Sequence, residues 1–351
     1  MRKKLNEIQS FLTRGNLIVF LFCLNFCFLI LGLLSQNILG NSVCNSVTFL
    51  ALSALSTVIA TSILLHNLRL VKNVEHYLID NLLVKDPCRI KIFQQLLDKN
   101  LFEYHFQPII DAKTGDIFAY EALMRSSKHS KMHPQEILDL AEHENCLYDI
   151  EKRTYENILQ IIDERHELLK DKKIFINSIS SHLLKDVDFK PLFKRYHKLF
   201  RNIVIELTEG TSINDNSIKL IQKRLERTNC QLALDDYGTG FFNETILLKT
   251  NPHFIKIDQT LIRQINFDSK KQHLVSNIIS YANNNNIKTI AEGIETYEEL
   301  RKVVHLGINY IQGYYTAKPA SDFLRELPMV HLETIAEINN PDRSPDQLQV
   351  I

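Results

Sequence analysis

From Leu17 to Leu65 the chain carries no Asp, Glu, Lys or Arg, whereas the remainder is densely charged. Two apolar runs lie in that window, Leu17–Leu34 (LIVFLFCLNFCFLILGLL) and Val47–Leu65 (VTFLALSALSTVIATSILL), of 18 and 19 residues. A hydrocarbon core about 30 Å thick takes roughly 17–25 helical residues to cross. Backbone in lipid must also bond to itself. The pattern therefore predicts two membrane-spanning helices over 17–65. A cleaved leader fits less well, because its apolar run is usually about 7–15 residues, and here a second run follows. Arg2, Lys3, Lys4 and Arg14 precede the first run and Arg69 and Lys72 follow the second, while the connecting SQNILGNSVCNS is uncharged. Lys and Arg stay on the cytoplasmic side. Residues 1–16 and everything beyond residue 65 are thus expected there, with an external loop too short for a sensor domain.

Over 66–87 the apolar positions recur with helical spacing, Leu68, Val71, Leu78 and Leu82 on one side and Leu70, Val74, Tyr77 and Val84 on another. This helical linker covers about two heptads, against the three to four of a sustained coiled coil, so a dimerising and a solvated helix both remain open. Asp86-Pro87 ends it, since the residue before proline is pushed out of the helical region.

From Cys88 the periodicity changes. Short runs rich in β-branched residues (EYHFQPII, DIFAYEALM, KIFINS, NIVIELT, QLALDD, FIKID, IKTIAEG, NYIQG) alternate with amphipathic segments such as Pro134–Asn145, Ile150–Leu168, Ser217–Thr228, Lys270–Asn284 and Tyr297–Leu306. That alternation is the mark of βα units around a mainly parallel sheet. About eight strands in some 240 residues favour a barrel, with a doubly wound sheet as the alternative. No glycine-rich phosphate loop follows any strand.

Polar residues recur where these strands end: Asn177 after KIFI, Glu206 after IVI, Asp235 and Asp236 after QLAL, Glu292 after IKTIA and Gln312 after NYI. Lys256 lies in FIKID and Glu121 interrupts FAYEALM. Singly, such residues are often caps or turn formers. In a barrel enzyme, however, the carboxyl ends of the strands converge on one mouth, so together they predict one site. Crowded carboxylates ionise together only beside cations, and oxygen ligands without His or Cys select Mg²⁺ or Mn²⁺. Asp235 and Asp236 can serve two ions about 3.5–4 Å apart, an arrangement suited to in-line displacement at phosphorus.

With these residues in view, the sequence resembles the EAL-domain cyclic di-GMP phosphodiesterases. The motifs are FQPII (Gln107), YEALMR (Glu121 to Arg125), INS (Asn177), ELTE (Glu206 to Glu209), DDYGTG (Asp235 to Gly240), IKID (Lys256 to Asp258), AEGIE (Glu292 to Glu295) and QGYYTAKP (Gln312 to Pro319), in the family's order. The resemblance implies an α/β fold, a modified (β/α)8 TIM-like barrel with one antiparallel strand over residues 88–330; the polar, proline-containing end (NNPDRSPDQLQVI) reads as a partly disordered tail within 331–351. The resemblance also implies hydrolysis of cyclic di-GMP to linear pGpG with two Mg²⁺ or Mn²⁺ ions. Glu121, Asn177, Glu206, Asp235, Asp236 and Glu292 would hold metal, and Glu121, Asp236, Lys256 and Glu292 would carry the catalysis, Lys256 at the attacking water. Gln107, Leu123, Arg125 and Gln312 would bind the dinucleotide, and Glu209 and Glu295 would support loops. A homodimer through the barrel and a bacterial inner-membrane location follow from the same likeness, with the linker helix open as a second dimer contact. Tyr237 replaces the commoner Phe, and Phe241-Phe242-Asn243 stands where small residues are usual. The alternative is a silent domain that binds cyclic di-GMP as a receptor; such receptors typically lose metal ligands, and none is lost here.

Composition narrows the rest. Lys plus Arg equals Asp plus Glu at 41 each, which offers no general case for binding a DNA or RNA polymer. The six cysteines are scattered without a CxxC pair, against a zinc site or a disulfide framework. His129, His133 and His143 match no strand end, and Asn283–Asn286 reads as a helix-to-strand loop.

Overall fold

The computed structural model describes residues 86–127, 130–169, 171–207, 215–238 and 244–339. The expected membrane hairpin over 17–65, the linker over 66–85, His129, Glu209, Phe241 to Asn243 and residues 340–351 lie outside the described residues. Among those described, no helix is long and apolar enough to cross a membrane.

Eight strands, β1 Phe102–Asp111, β2 Ile117–Ser126, β3 Lys173–Ser178, β4 Ile203–Leu207, β5 Gln231–Tyr237, β6 Phe254–Ile257, β7 Lys288–Ala291 and β8 Tyr310–Ile311, close into one barrel in chain order. Strands β2 to β8 are parallel to one another, and β1 is antiparallel to both its neighbours, β2 and β8. The direction of β1 has a local cause. Only Ala112 to Asp116 join it to β2, with Gly115 at φ +81°, and a parallel pair needs a crossover of a dozen or more residues. Closure through Ile110↔Ile311 and Asp111↔Tyr310 excludes the doubly wound alternative.

Helices fill the other connections: α1 Pro87–Asp98 before β1; α2 Pro134–His143, α3 Leu147–Glu164 and the single turn α4 His166–Leu169 before β3; α5 Asp186–Tyr196; α6 Asp215–Thr228; α7 Glu244–Thr250; α8 Gln259–Ile262 and α9 Ser269–Asn284; α10 Tyr297–His305; and α11 Met329–Asn339 after β8. Capping chemistry sets the starts of two of them. Asp268 accepts from the Lys270 and Lys271 amides, and Thr296 with Glu299 forms a reciprocal capping box, so otherwise orphaned first-turn donors are satisfied. α9 ends on the asparagine run, with Asn286 in the left-handed region at φ +58°.

Two layers of side chains fill the barrel, and both follow from the two-residue period of a strand. Ile109, Ala119, Phe175, Val204, Ala233, Phe254 and Ile290 form a separate buried cluster, closed by Phe118 and Tyr310, whose rings stack at 4.1 Å. Two residues further along each parallel strand stand Glu121, Asn177, Glu206, Asp235, Lys256, Glu292 and Gln312; in antiparallel β1 the counterpart of Ile109 is Gln107, two residues earlier. The alternate positions, among them Ile174, Ile176, Ile203, Ile205, Leu232, Leu234, Ile255 and Ile257, face outward into the main core against the helices.

α11 runs on past residue 330, where the domain was expected to end. Ile335 and Ile338 on that helix are buried, and Asn339 Nδ2 donates to the Ala112 carbonyl at 3.0 Å. Burying a large aliphatic side chain is worth about 1.5–3 kcal/mol, so ending the chain after Pro328 should cost roughly 3–6 kcal/mol. A denaturant melt of the full and shortened chains checks this; equal midpoints would leave α11 a passive appendage.

Candidate active site

Lys256 organises the polar layer. Its side chain is fully buried, and Nζ lies 2.7 Å from Glu206 Oε1, 2.8 Å from Glu292 Oε1, 2.9 Å from Asp235 Oδ1 and 3.3 Å from Glu121 Oε2. Burial alone would push an ammonium toward its neutral form. Here the four carboxylates outweigh that cost, and the Lys256 pKa is held well above its ordinary value. The group therefore stays a cation.

The amides arrange the carboxylates. Asn177 Nδ2 donates to Glu121 Oε1 at 2.9 Å and Gln312 Nε2 to Glu121 Oε2 at 2.6 Å. Gln312 also reaches Gln107 Oε1 at 3.3 Å, and Gln107 Nε2 in turn holds the Ala317 carbonyl at 3.1 Å. Burial raises the Glu121 pKa, but Lys256, Gln312 and Asn177 together prevail and lower it. For Glu206, Asp235 and Glu292 burial wins instead, aided by neighbouring carboxylates, and all three are raised. One ammonium cannot neutralise four carboxylates.

That imbalance tests whether a metal fits. The carboxylates form two overlapping sets, Glu121–Glu206–Asp235 and Asp235–Asp236–Glu292, each with one ligand oxygen per residue within 4.8 Å of the others. Buried Glu206 Oε2 has no hydrogen-bond partner, an expensive state unless something cationic meets it. The all-oxygen donor set suits a hard divalent ion. The residues fit.

Strand irregularity places the fifth carboxylate. The β5–β6 register shifts between Leu234 and Tyr237, and Asp236 sits there at φ +56°. A bulge re-aims side chains beside many active sites, and Asp tolerates the left-handed region better than most residues. Gly313 is needed for a different reason: a methyl on it would sit inside the van der Waals radii of the Ile294 backbone N and O. Gln312, which steadies Glu121, is thus held by a backbone crossing that only glycine allows.

Of the expected substrate-binding residues, Gln107 and Gln312 lie within the polar layer. Leu123 and Arg125 follow Glu121 at two-residue steps on the same face of β2, opposite His105 and Glu103 of β1, so they line the rim. At about 3.3 Å per residue, Arg125 lies about 13 Å beyond Glu121. Arg125 Nη1 donates to the Met124 carbonyl. Glu295 stands apart from the cluster: exposed, it pairs with Arg263 at 2.7 Å and supports the segment after β6. His133 caps α2 and His143 meets Glu144 on the surface. Cys88, Cys146 and Cys230 form no disulfide among the described residues.

Two buried acids escaped the sequence reading because they lie on helices. Glu299 accepts from the Gln264, Glu295 and Thr296 amides. Glu151 on α3 accepts from Ser178 Oγ at 2.5 Å and from the Ile179 amide at 2.8 Å, clamping the chain just beyond Asn177. Their only signal is a carboxylate on the apolar face of an amphipathic helix.

The fold and the site together define a (β/α)8-type barrel with an acidic, metal-suited centre at the carboxyl ends of its strands. The chain belongs to the EAL domain family, whose model matches residues 90–319. It is 28% identical over 232 residues to the cyclic di-GMP phosphodiesterase PdeF of Escherichia coli (strain K12), across 64% of this chain and 31% of PdeF. The structure matches the PaMucR phosphodiesterase in its c-di-GMP complex with a TM-score of 0.59 at 25% identity, over 66% of this chain and 97% of that one. Klebsiella pneumoniae BlrP1, in a manganese/cy-diGMP complex, shares the fold with a TM-score of 0.57 at 24% identity, over 63% of this chain and 56% of that one. The chain spans between 31% and 64% of the length of four E. coli relatives.

Burial pushes the Glu151 carboxyl up to about 7 against an ordinary 4.5, despite its two hydrogen bonds. The folded state then holds a proton that the unfolded state releases, so stability falls as pH rises from about 4.5 through about 7 and levels off above. At 1.36 kcal/mol per unit the effect is about 3 kcal/mol. Glu151→Gln should flatten that segment of the stability–pH curve; an unchanged slope would contradict the assignment.

Proposed function

We propose that the chain is a membrane-anchored phosphodiesterase that hydrolyses cyclic di-GMP to linear pGpG with two Mg²⁺ or Mn²⁺ ions. The observation that carries this reading is the pair of overlapping carboxylate sets around one buried ammonium, in a family whose relatives are named for this reaction. Glu121, Asn177, Glu206 and Asp235 would hold one ion, and Asp235, Asp236 and Glu292 the other. When bound, the ions supply the positive charge the carboxylates lack and make water nucleophilic near neutral pH.

The chain's own groups account for the remainder. Because Lys256 remains protonated, it serves as a donor and electrostatic stabiliser rather than as a base. A preorganised charge in a water-poor site acts far more strongly than in bulk solvent. It is placed to hold the attacking water and to meet the charge that develops on the phosphoryl oxygens. The water oxygen bonds to phosphorus, one ester P–O bond breaks, and the departing ribose oxygen takes a proton. Arg125 at the rim would face the second phosphate of a ligand long enough to leave the cluster, with Leu123 and Gln107 along its path.

Anchoring is supported by the two uncharged runs over 17–65 and by the basic residues that flank them. A homodimer through the barrel belongs to the same reading.

Full-length protein in mild detergent should convert cyclic di-GMP to pGpG only with added Mg²⁺ or Mn²⁺, followed by chromatography. Glu121→Ala should lower turnover by about a hundred- to a thousandfold, the range seen when one preorganised catalytic group is removed. Undiminished turnover would sink the ligand assignment, and tight binding without turnover would favour the receptor alternative. A reporter fused after Ile351 should be active in the cytoplasm; a periplasmic signal would overturn the topology.

A further inference from the structure

The foot of the barrel, opposite the carboxylates, holds an open bowl of about 690 Å³ lined by Asp171, Lys172, Lys173, Arg201, Gln231 and His253, among others. Each strand from β3 to β6 contributes at its amino end: Lys173 opens β3, Arg201 lies just before β4, Gln231 opens β5 and His253 precedes β6. The charge here is uncompensated. Lys172, Lys173 and Arg201 supply three cations against the single carboxylate of Asp171, and no ion pair reaches any of the three among the described residues.

Local hydrogen bonds do not consume this capacity. Lys172 Nζ donates to the Ile117 carbonyl at 2.5 Å and Lys173 Nζ to the Arg201 carbonyl at 2.7 Å. Each is one bond out of three, and neither partner carries a charge. Those bonds hold the two ammonium groups in place at the wall. The nearby end of α6 is already capped, since the Asn229 amide bonds to the Leu225 carbonyl and Thr228 Oγ1 to the Arg224 carbonyl. The lysines are therefore not needed there as helix caps.

Two further groups point to a ligand with more than charge. Gln231 Oε1 is buried without a hydrogen-bond partner, a state that costs about 1–3 kcal/mol unless a donor arrives. His253 Nδ1 accepts from the Leu232 amide, so the neutral ring carries its proton on Nε2 and keeps a donor for a guest.

We propose that this bowl binds a small phosphate-bearing anion, the cations holding its phosphoryl oxygens and Gln231 accepting from a donor on the same molecule. Such a site would act at a distance of about four residues, or about 13 Å along a strand, from the catalytic layer. β3 joins Lys173 to Asn177, β5 joins Gln231 to Asp235, and His253 lies three residues before Lys256 on the way into β6.

Pyrophosphate titrated into full-length protein in detergent, by calorimetry and with EDTA present, tests this. EDTA removes metal-bridged binding at the carboxylates, and the Arg201 variant assigns saturable binding to the bowl. A submillimolar Kd is expected, weakened at least tenfold in Arg201→Glu and tightened in Asp171→Asn. Arg201 is exposed and its guanidinium enters no ion pair among the described residues, so thermal unfolding should be unchanged. Guanosine monophosphate binding more tightly than pyrophosphate would assign the ligand as a nucleotide read through Gln231. Equal binding would assign a simple phosphoanion, and either keeps the site. No saturable binding, or equal affinity in Arg201→Glu, would overturn it. Because the readout is binding without metal, failure here leaves the catalytic reading untouched.

Discussion

A fully buried ammonium among four carboxylates is the constraint on which the active end of this barrel depends. Moving Lys256 out of water is costly, and only close opposite charges repay it. In return the lysine draws Glu121, Glu206, Asp235 and Glu292 into one layer, leaving a net negative charge that protons or divalent ions must balance. The same arrangement that holds the layer together makes it a receptor for hard cations. Removal of the ammonium alone would leave four carboxyl groups facing one another with no cation among them.

The barrel builds that layer by repetition. Each parallel strand presents an apolar side chain to the interior and, two residues later, a polar one: Phe175 then Asn177, Val204 then Glu206, Ala233 then Asp235, Phe254 then Lys256. The apolar plug keeps water from approaching the charges from below, and the mouth stays open above. β1 breaks the rule of direction yet keeps the rule of alternation, so Gln107 still arrives beside Glu121.

This regularity explains what could be read from residues alone. Strand ends advertise themselves in sequence, because carboxylates and amides directly after strand after strand, as after IVI and QLAL, point to one shared mouth rather than to separate caps. Eight strands, five main helices and the polar layer were therefore legible. Glu151 and Glu299 were not, since a carboxylate on a helix reads as surface until the partner amides are in view. The closing helix α11 was hidden by its short, weakly patterned sequence after a proline-containing loop. α5 was obscured by Pro191, ordinarily a helix breaker. The basic bowl was invisible because its lining comes from the starts of four strands, where single lysines and arginines are commonplace.

The most direct test of the account counts metal ions. Titration of Mn²⁺ into the full-length protein, followed by the loss of the free-ion electron paramagnetic resonance signal, should reveal two sites per chain. Asp235 belongs to both carboxylate sets, so Asp235→Asn should weaken both together, whereas Asp236→Asn should spare the set built on Glu121 and Glu206. Two sites of unaltered affinity in Asp235→Asn, or no Mn²⁺ binding at millimolar concentration, would contradict the proposal that the layer around Lys256 is a two-ion centre.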